Sequence, residues 1–342
     1  MTAKTAIQWV RKEDERWAAA FELHLVTTCH PPRGLAHQAL SEIHEMVTEA
    51  GRPAEELFGD PRQYAASVAA DRIDETHTSR VDLAGATPGE RFTDAVVIAG
   101  FMGLTLSTVR WARDGLWLDV SSASLAGVGV VTAAALVFCL ALALRTAGRV
   151  RAMRACLAIS IVGAVGGAAA ASAASEHVLF SLPALVPLAA SVVVMVGAYR
   201  LPHATADRWF TPARGGGSEQ WMQQLDGLLR GRHGMQVKDA REHVAEVRSH
   251  LAGKAGLTAQ GEFGDVEAYA AGLAGGPRRA WRAQRRKAYS AGAFALAIAV
   301  ANVDALRGLD VASFWFWFGL LAVVFSVANA AWLYGDFRRR RR

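Results

Sequence analysis

The chain has 342 residues, of which 52% are apolar and only 20% charged. A mean hydropathy of +0.18 excludes an ordinary soluble protein and points to the membrane class. The net charge of +6 sits largely in short arginine clusters beside apolar runs, a distribution that suits membrane topology and anionic lipid rather than direct nucleic-acid binding.

Read from its start, the segment MTAKTAIQWVRKEDERW has no apolar core and is no signal peptide, so insertion through a first transmembrane segment is expected. Residues 1–90 are acidic and read as a cytosolic helical domain with its linker. Its first helix carries Trp17, Phe21 and Leu25 at helical spacing, and its second carries Leu40, Ile43 and Val47. A third helix begins in LFGDPRQYAASVAA at 57–70. There Asp60 suits the N-cap, Pro61 the first helical position and Gly59 a tight approach to it. Tyr64 then faces the core.

Residues 91–200 read as four transmembrane helices. The stretches 124–144, 155–175 and 178–199 carry no charge, although Pro183 and Pro187 should kink the last. The stretch 95–109 is short, between Asp94 and Arg110, and an interfacial or buried helix is the alternative there. Gly163, Gly167 and Ala171 form a small-residue face suited to close helix packing.

Residues 201–287 repeat the first domain. With an offset of 204, Glu15, Trp17, Leu25 and Glu42 match Glu219, Trp221, Leu229 and Glu246. One inserted residue later, Phe58, Gly59, Asp60 and Tyr64 match Phe263, Gly264, Asp265 and Tyr269 in EFGDVEAYAAGLAG. A match without short period marks a duplicated domain rather than a solenoid. Each copy, over 14–70 and 219–275, is expected to be a three-helix unit. A basic linker follows, with Arg278, Arg279, Arg282, Arg285, Arg286 and Lys287 placed to meet lipid headgroups. Residues 288–336 supply two last spans, at 288–303 (short before Asp304, with an interfacial or buried helix again the alternative) and 311–334, before the basic tail 337–342.

The fold expectation is therefore all-α: a polytopic membrane protein with about six transmembrane helices and two small cytosolic three-helix domains. The arginine-rich loops orient it. The clusters at 145–154, 278–287 and 338–342 all fall inside when both termini are cytosolic, whereas the loops SEHV and DALRGLD are poor in basic residues.

Chemistry is harder to find. No GxSxG, Walker loop, HExxH or CxxC occurs, so no catalytic, cofactor or metal residue is assigned and a non-enzyme is expected. Cys29-His30 with His24 and His37, and His243 with His250 and Glu246, are conceivable metal sets, but ordinary loop, surface or core residues are the preferred reading. The clean spans hold no ionisable residue of the kind an ion-coupled transporter uses.

The repeated pattern resembles a known family. An apolar residue or tryptophan opens helix one. A Glu-apolar-x-x-His-Leu element lies in helix two, here EVRSHL at 246–251 and, degenerate, EIHEMV at 42–47. A G-D element begins helix three. The pattern is similar to the helical signalling domain associated with helix-turn-helix regulators and to the permease prefix domain. The resemblance implies a bacterial plasma-membrane location and a cytosolic protein partner, either a PadR-like transcription regulator or the ATPase of a transporter. It thus leaves two classes open: a membrane-anchored regulatory protein, or a permease-like accessory subunit. Met46 stands where the second copy has His250, so any role of that histidine is not shared. The acidic face Glu42, Glu45 and Glu49 is the expected partner contact, and a homo-oligomer is compatible with the sequence.

Overall fold

A computed structural model describes residues 7–32, 34–173, 177–211, 217–253, 257–276, 278–301 and 314–339. The chain divides into two compact units, Met1–Val81 and Asp82–Arg342. The boundary falls before the expected one at residue 90, because residues 82–90 pack with the second unit.

The first unit is helical. It contains α1 (Lys12–His24), continued by one π-helical turn (Leu25–Cys29), α2 (Leu35–Ala50), α3 (Ala54–Phe58), α4 (Pro61–Arg72) and α5 (Glu75–Arg80). Its core is built from Trp17, Phe21 and Leu25 against Ile43, Val47 and Ala65. The expected third helix is thus preceded by a short fourth element, α3. The buried carboxylate of Asp14 accepts the amide of Ala54 at 2.8 Å and so fastens the start of α3.

In the second unit, α6 (Pro88–Asp114) opens on a capping box at Thr87 and Glu90, with Pro88 at its first position. It runs well past the expected 95–109, so its length is ample for a bilayer. Asp207, on α10 (His203–Phe210), caps it as well, accepting the Gly89 amide at 2.7 Å and the Thr87 hydroxyl at 3.1 Å. Two long apolar helices follow, α7 (Ser122–Thr146) and α8 (Val150–Ala173). They lie close: a Cβ at Gly167 would stand 3.0 Å from Val130, and the buried Ser160 hydroxyl donates to the Ala134 carbonyl at 2.8 Å.

One expected span is corrected. The apolar run 178–199 does not form a single kinked helix. Its first part is β2 (Val178–Pro183), paired antiparallel with β1 (Trp117–Ser121), with Asp119 opposite Ser181. Only Leu185–Arg200 is helical, as α9. Alternating apolar and polar residues in WLDVS, with a β-branched and aromatic VLF in the partner, suit a ribbon better than a helix. Pro183 ends the strand rather than kinking a helix.

The second domain copy repeats the first in element order: α11 (Ser218–Gly231), α12 (Val237–Ala252), α13 (Ala259–Phe263) and α14 (Val266–Ala274). Ser218 here takes the place of Asp14, accepting the amide of Ala259 at 2.9 Å. The basic segment expected as a linker is instead the opening of one long helix, α15 (Arg278–Ala301), which packs with α16 (Phe314–Arg339). DALRGLD and the last three arginines lie outside the described residues, as do Ser175 and Glu176 of SEHV.

Among the described residues three helices are long and apolar enough to cross a membrane, Pro88–Arg113, Ser122–Thr146 and Val150–Ala170. A fourth crossing arises if α9 and Ala204–Phe210 of α10, bent by 87°, count as one. At most 24% of each apolar window is buried within the protein, and Val162, Val165 and Val193 stand outward. Apolar stripes of that size facing outward belong in lipid.

Candidate functional site: a buried junction between the second copy and the membrane helices

The turn between α7 and α8 is built by Gly148 in the left-handed conformation, with the Arg149 amide donating to the Leu144 carbonyl at 2.9 Å and the Gly148 amide to that of Arg145 at 3.1 Å. This is a Schellman closure, and it leaves the Thr146 carbonyl without a backbone partner in the turn. The second copy supplies one. Arg232, 1% exposed, donates from Nε to that carbonyl at 2.8 Å and from a terminal nitrogen to Glu267 of α14 at 2.8 Å. A cation at a helix C-terminus also complements the helix dipole.

The contact is close enough to exclude side chains. A Cβ at Gly227 would collide with the Gly148 carbonyl oxygen, and one at Gly231 with that of Arg145. Glycine is needed at both because α11 lies directly on the turn. The first copy carries Leu23, Thr27, Thr28 and Arg62 where the second has Gly227, Gly231, Arg232 and Glu267. It can build neither the close approach nor the ion pair.

Beside this contact, Asp82 is fully buried. It takes two bonds from Arg91, each 3.0 Å, and the amides of Ala84 and Ala86. Arg286 approaches the same carboxylate at 2.9 Å as an ion pair without hydrogen-bond alignment. Burial alone would raise the Asp82 carboxyl, but the Arg91 hydrogen bond, the charges of Arg91 and Arg286 and the Ala84 amide outweigh it, so it titrates below its ordinary range. The adjacent His233 is buried, and its Nε2 has no hydrogen-bond partner among the described residues. Burial, then the charges of Arg232, Arg279 and Arg282, push its imidazole down to about 3.

The expected headgroup residues divide. Arg278, Arg279 and Lys287 are exposed. Arg282 is instead buried and donates to the Ala274 carbonyl. Arg285 donates to the Gly234 carbonyl at 2.7 Å and lies 4.8 Å over the Trp281 ring. Arg286 is held by Asp82. Half of the basic stretch therefore faces protein, because the segment is helical and only one side of a helix can face outward.

The expected partner face also divides. Glu42 is taken by Arg72 of α4 at 2.6 Å and by Gln38, and the hydrogen bond from Arg72 leads in lowering its carboxyl below the usual range. Glu45 and Glu49 are exposed. Glu49 borders an open groove lined by Met46, Ala50, Leu57 and Phe58. In the second copy the positions of Met46 and Leu57 hold His250 and Glu262, whose side chains are joined at 2.8 Å, with the His250 ring 5.4 Å from Phe263. The His250–Glu262 bridge thus joins the two positions that Met46 and Leu57 leave open in the first copy.

The motif residues take corresponding places in the two copies. Asp60 caps α4 through the amides of Arg62 and Gln63, and Asp265 caps α14 through those of Glu267 and Ala268. Tyr64 packs against Trp17 and Tyr269 against Trp221, with ring centroids 6.0 and 5.5 Å apart. Among the described residues no three of His, Cys, Asp or Glu gather as a metal set. His24 and His37 each lie 3.5 Å from a hydroxyl of their own helical neighbourhood, and His243 pairs with Glu246 at 3.8 Å. Arg232, Asp82, Gly227 and Gly231 escape sequence reasoning. For Arg232, Gly227 and Gly231 the signal that could have found them is their mismatch with Thr28, Leu23 and Thr27 in an otherwise matching repeat; Asp82 lies outside the repeat and carries no such signal.

The fold and junction define a helical protein with membrane-spanning character, one of whose two repeated domains is built into the ends of its long helices. Comparison of the chain with protein-family models, with curated proteins and with solved structures finds no match.

Proposed function

We propose that this is a non-catalytic, membrane-anchored signalling or regulatory protein of the bacterial plasma membrane, with six spans and both termini cytosolic. The second copy fixes the state of the membrane helices, and the first engages a cytosolic partner, a transcription regulator of the PadR-like class. The observation that carries this reading is the divergence of the copies at matching faces. Gly227, Gly231 and Arg232 seat the second copy on the α7–α8 turn, and His250 with Glu262 closes its groove. At the matching positions the first copy has Leu23, Thr27, Thr28, Met46 and Leu57, with Glu45 and Glu49 exposed beside them. One copy thus has the residues of a fixed structural element and the other those of an acidic-rimmed contact surface.

The test is recovery of bound proteins from membranes in mild detergent. Glu45→Lys with Glu49→Lys leaves Glu42 to Arg72 and should release the partner bound by the intact chain. An unchanged set of recovered proteins would reject the contact face. Recovery of a transporter ATPase instead of a regulator would move the protein to the permease-accessory class.

A further inference from the structure

The open groove of the first copy has a filled counterpart in the same chain. It lies between the end of α2 and α3, has a volume of about 410 Å³ and is lined by Met46, Ala50, Leu57 and Phe58, with Glu49 at its edge. Met46 and Ala50 stand one turn apart on α2, and Met46 is 41% exposed. In the second copy the ring of His250 leans on Phe263, the counterpart of Phe58, with centroids 5.4 Å apart. Its Nε2 meets the Glu262 carboxylate at 2.8 Å. That copy carries its own occupant, a basic side chain laid on an aromatic face and against a carboxylate.

The rim changes with the groove. Ser249 and Gly253 stand where the first copy has Glu45 and Glu49. The open groove therefore keeps two exposed carboxylates that the filled one has lost. The neighbouring arginines are engaged elsewhere, Arg72 by Glu42 and Arg52 by Glu56 at 3.2 Å.

Apolar floor and acidic edge together select an occupant. The rim repels an anionic lipid surface and a nucleic-acid backbone alike. The groove runs between helices, and among the described residues the first unit has no strand whose edge could take an extended peptide. A helix with apolar side chains one turn apart, and lysine or arginine beside them, meets both features.

We propose that this groove receives a basic amphipathic helix of the cytosolic partner. Its apolar side chains enter over Met46, Leu57 and Phe58, and its lysine or arginine pairs with Glu45 and Glu49. The inference rests on the first copy being the one that engages a partner, and it names the chemistry of what that copy binds.

The experiment grafts the second copy's bridge onto the first, as Met46→His with Leu57→Glu in the full chain. The probe is a displayed library of random peptides several helical turns long, selected on the natural chain in phosphatidylcholine nanodiscs. Selected peptides should carry apolar residues three or four apart with lysine or arginine beside them. They should bind the graft about tenfold more weakly, the loss of one well-seated apolar anchor. The graft adds a carboxylate, so that loss cannot come from weaker charge attraction. Glu45→Gln with Glu49→Gln leaves the groove open and should weaken the same peptides about fivefold while flattening their salt dependence. If the graft melts below the natural chain, this surface pair decides alone. Equal binding to natural and altered chains, or selected peptides without basic residues, would overturn the proposal. So would a dimer of the natural chain in native mass spectrometry that the graft dissolves, because the occupant is then a second copy. Recovery from membranes separates this inference from the signalling reading. A partner lost with Glu45→Lys and Glu49→Lys but kept by the graft leaves the contact face standing and removes the groove. The expected peptides with unchanged recovery uphold the groove and remove that reading.

Discussion

Trp17 donates its indole N–H to the carbonyl of Gly59 at 2.8 Å, and Trp221 repeats the bond to Gly264 at 3.1 Å. The two glycines share one backbone conformation, φ 73° with ψ −145° and −148°, which a side chain all but forbids. The next residue, Asp60 or Asp265, caps the helix that follows. Each written repeat of Phe-Gly-Asp is therefore one mechanical device. Phenylalanine fills the core, glycine turns the chain and offers its carbonyl to tryptophan, and aspartate starts the helix.

Substitutions in this device should rank accordingly. Trp221→Ala should cost about 3–5 kcal/mol through the cavity left in a well-packed core. Gly264→Ala should cost about 1–3 kcal/mol from backbone strain alone, since open space surrounds that position. Asp265→Ala should cost about 1 kcal/mol through the lost cap. Denaturant titration of the full chain in detergent checks the order, and a neutral Gly264→Ala would contradict it.

The junction should weaken in acid. His233, held down to about 3 when folded, takes up a proton in the unfolded chain below its ordinary value of 6.5. Its contribution is complete above 6.5 and declines by about 1.4 kcal/mol per pH unit as the pH falls from there toward 3. Asp82 adds to the decline in stronger acid: its lowered carboxyl stabilises the fold above the ordinary value of 3.8, and that stability is lost as the pH falls below it. His233→Gln should flatten the slope between pH 6.5 and 4. An unchanged slope would remove His233 as its source.

Orientation is expected to follow the arginines. Reporter fusions after Gly217 and after Arg342 should both read as cytosolic. An external reading for either would overturn the six-span topology.

The repeated units were legible because their determinants are local and written twice: Trp17 with Trp221, Gly59 with Gly264, Asp60 with Asp265. The junction was not. Arg232 lies in LLRGRHGM, where nothing distinguishes it from a solvated charge, and its partners are 86 residues away at Thr146 and 35 away at Glu267. Asp82 sat in a stretch read as linker, with Arg286 more than two hundred residues distant. The strand at Val178–Pro183 was hidden for a related reason. An apolar run reads equally as span or strand until its partner, Trp117–Ser121, is known.

The junction between the second copy and the α7–α8 turn is tested most directly by hydrogen–deuterium exchange on the intact protein, comparing the natural chain with Arg232→Met. Removing one partner of a buried ion pair should cost about 3–5 kcal/mol, and Arg232→Met with Glu267→Met should restore part of it. Exchange should quicken in α11, α14 and residues 144–150 together, while amides of α1 and α2 in the first copy keep their rates. Unaltered protection at residues 144–150 in Arg232→Met would contradict the junction.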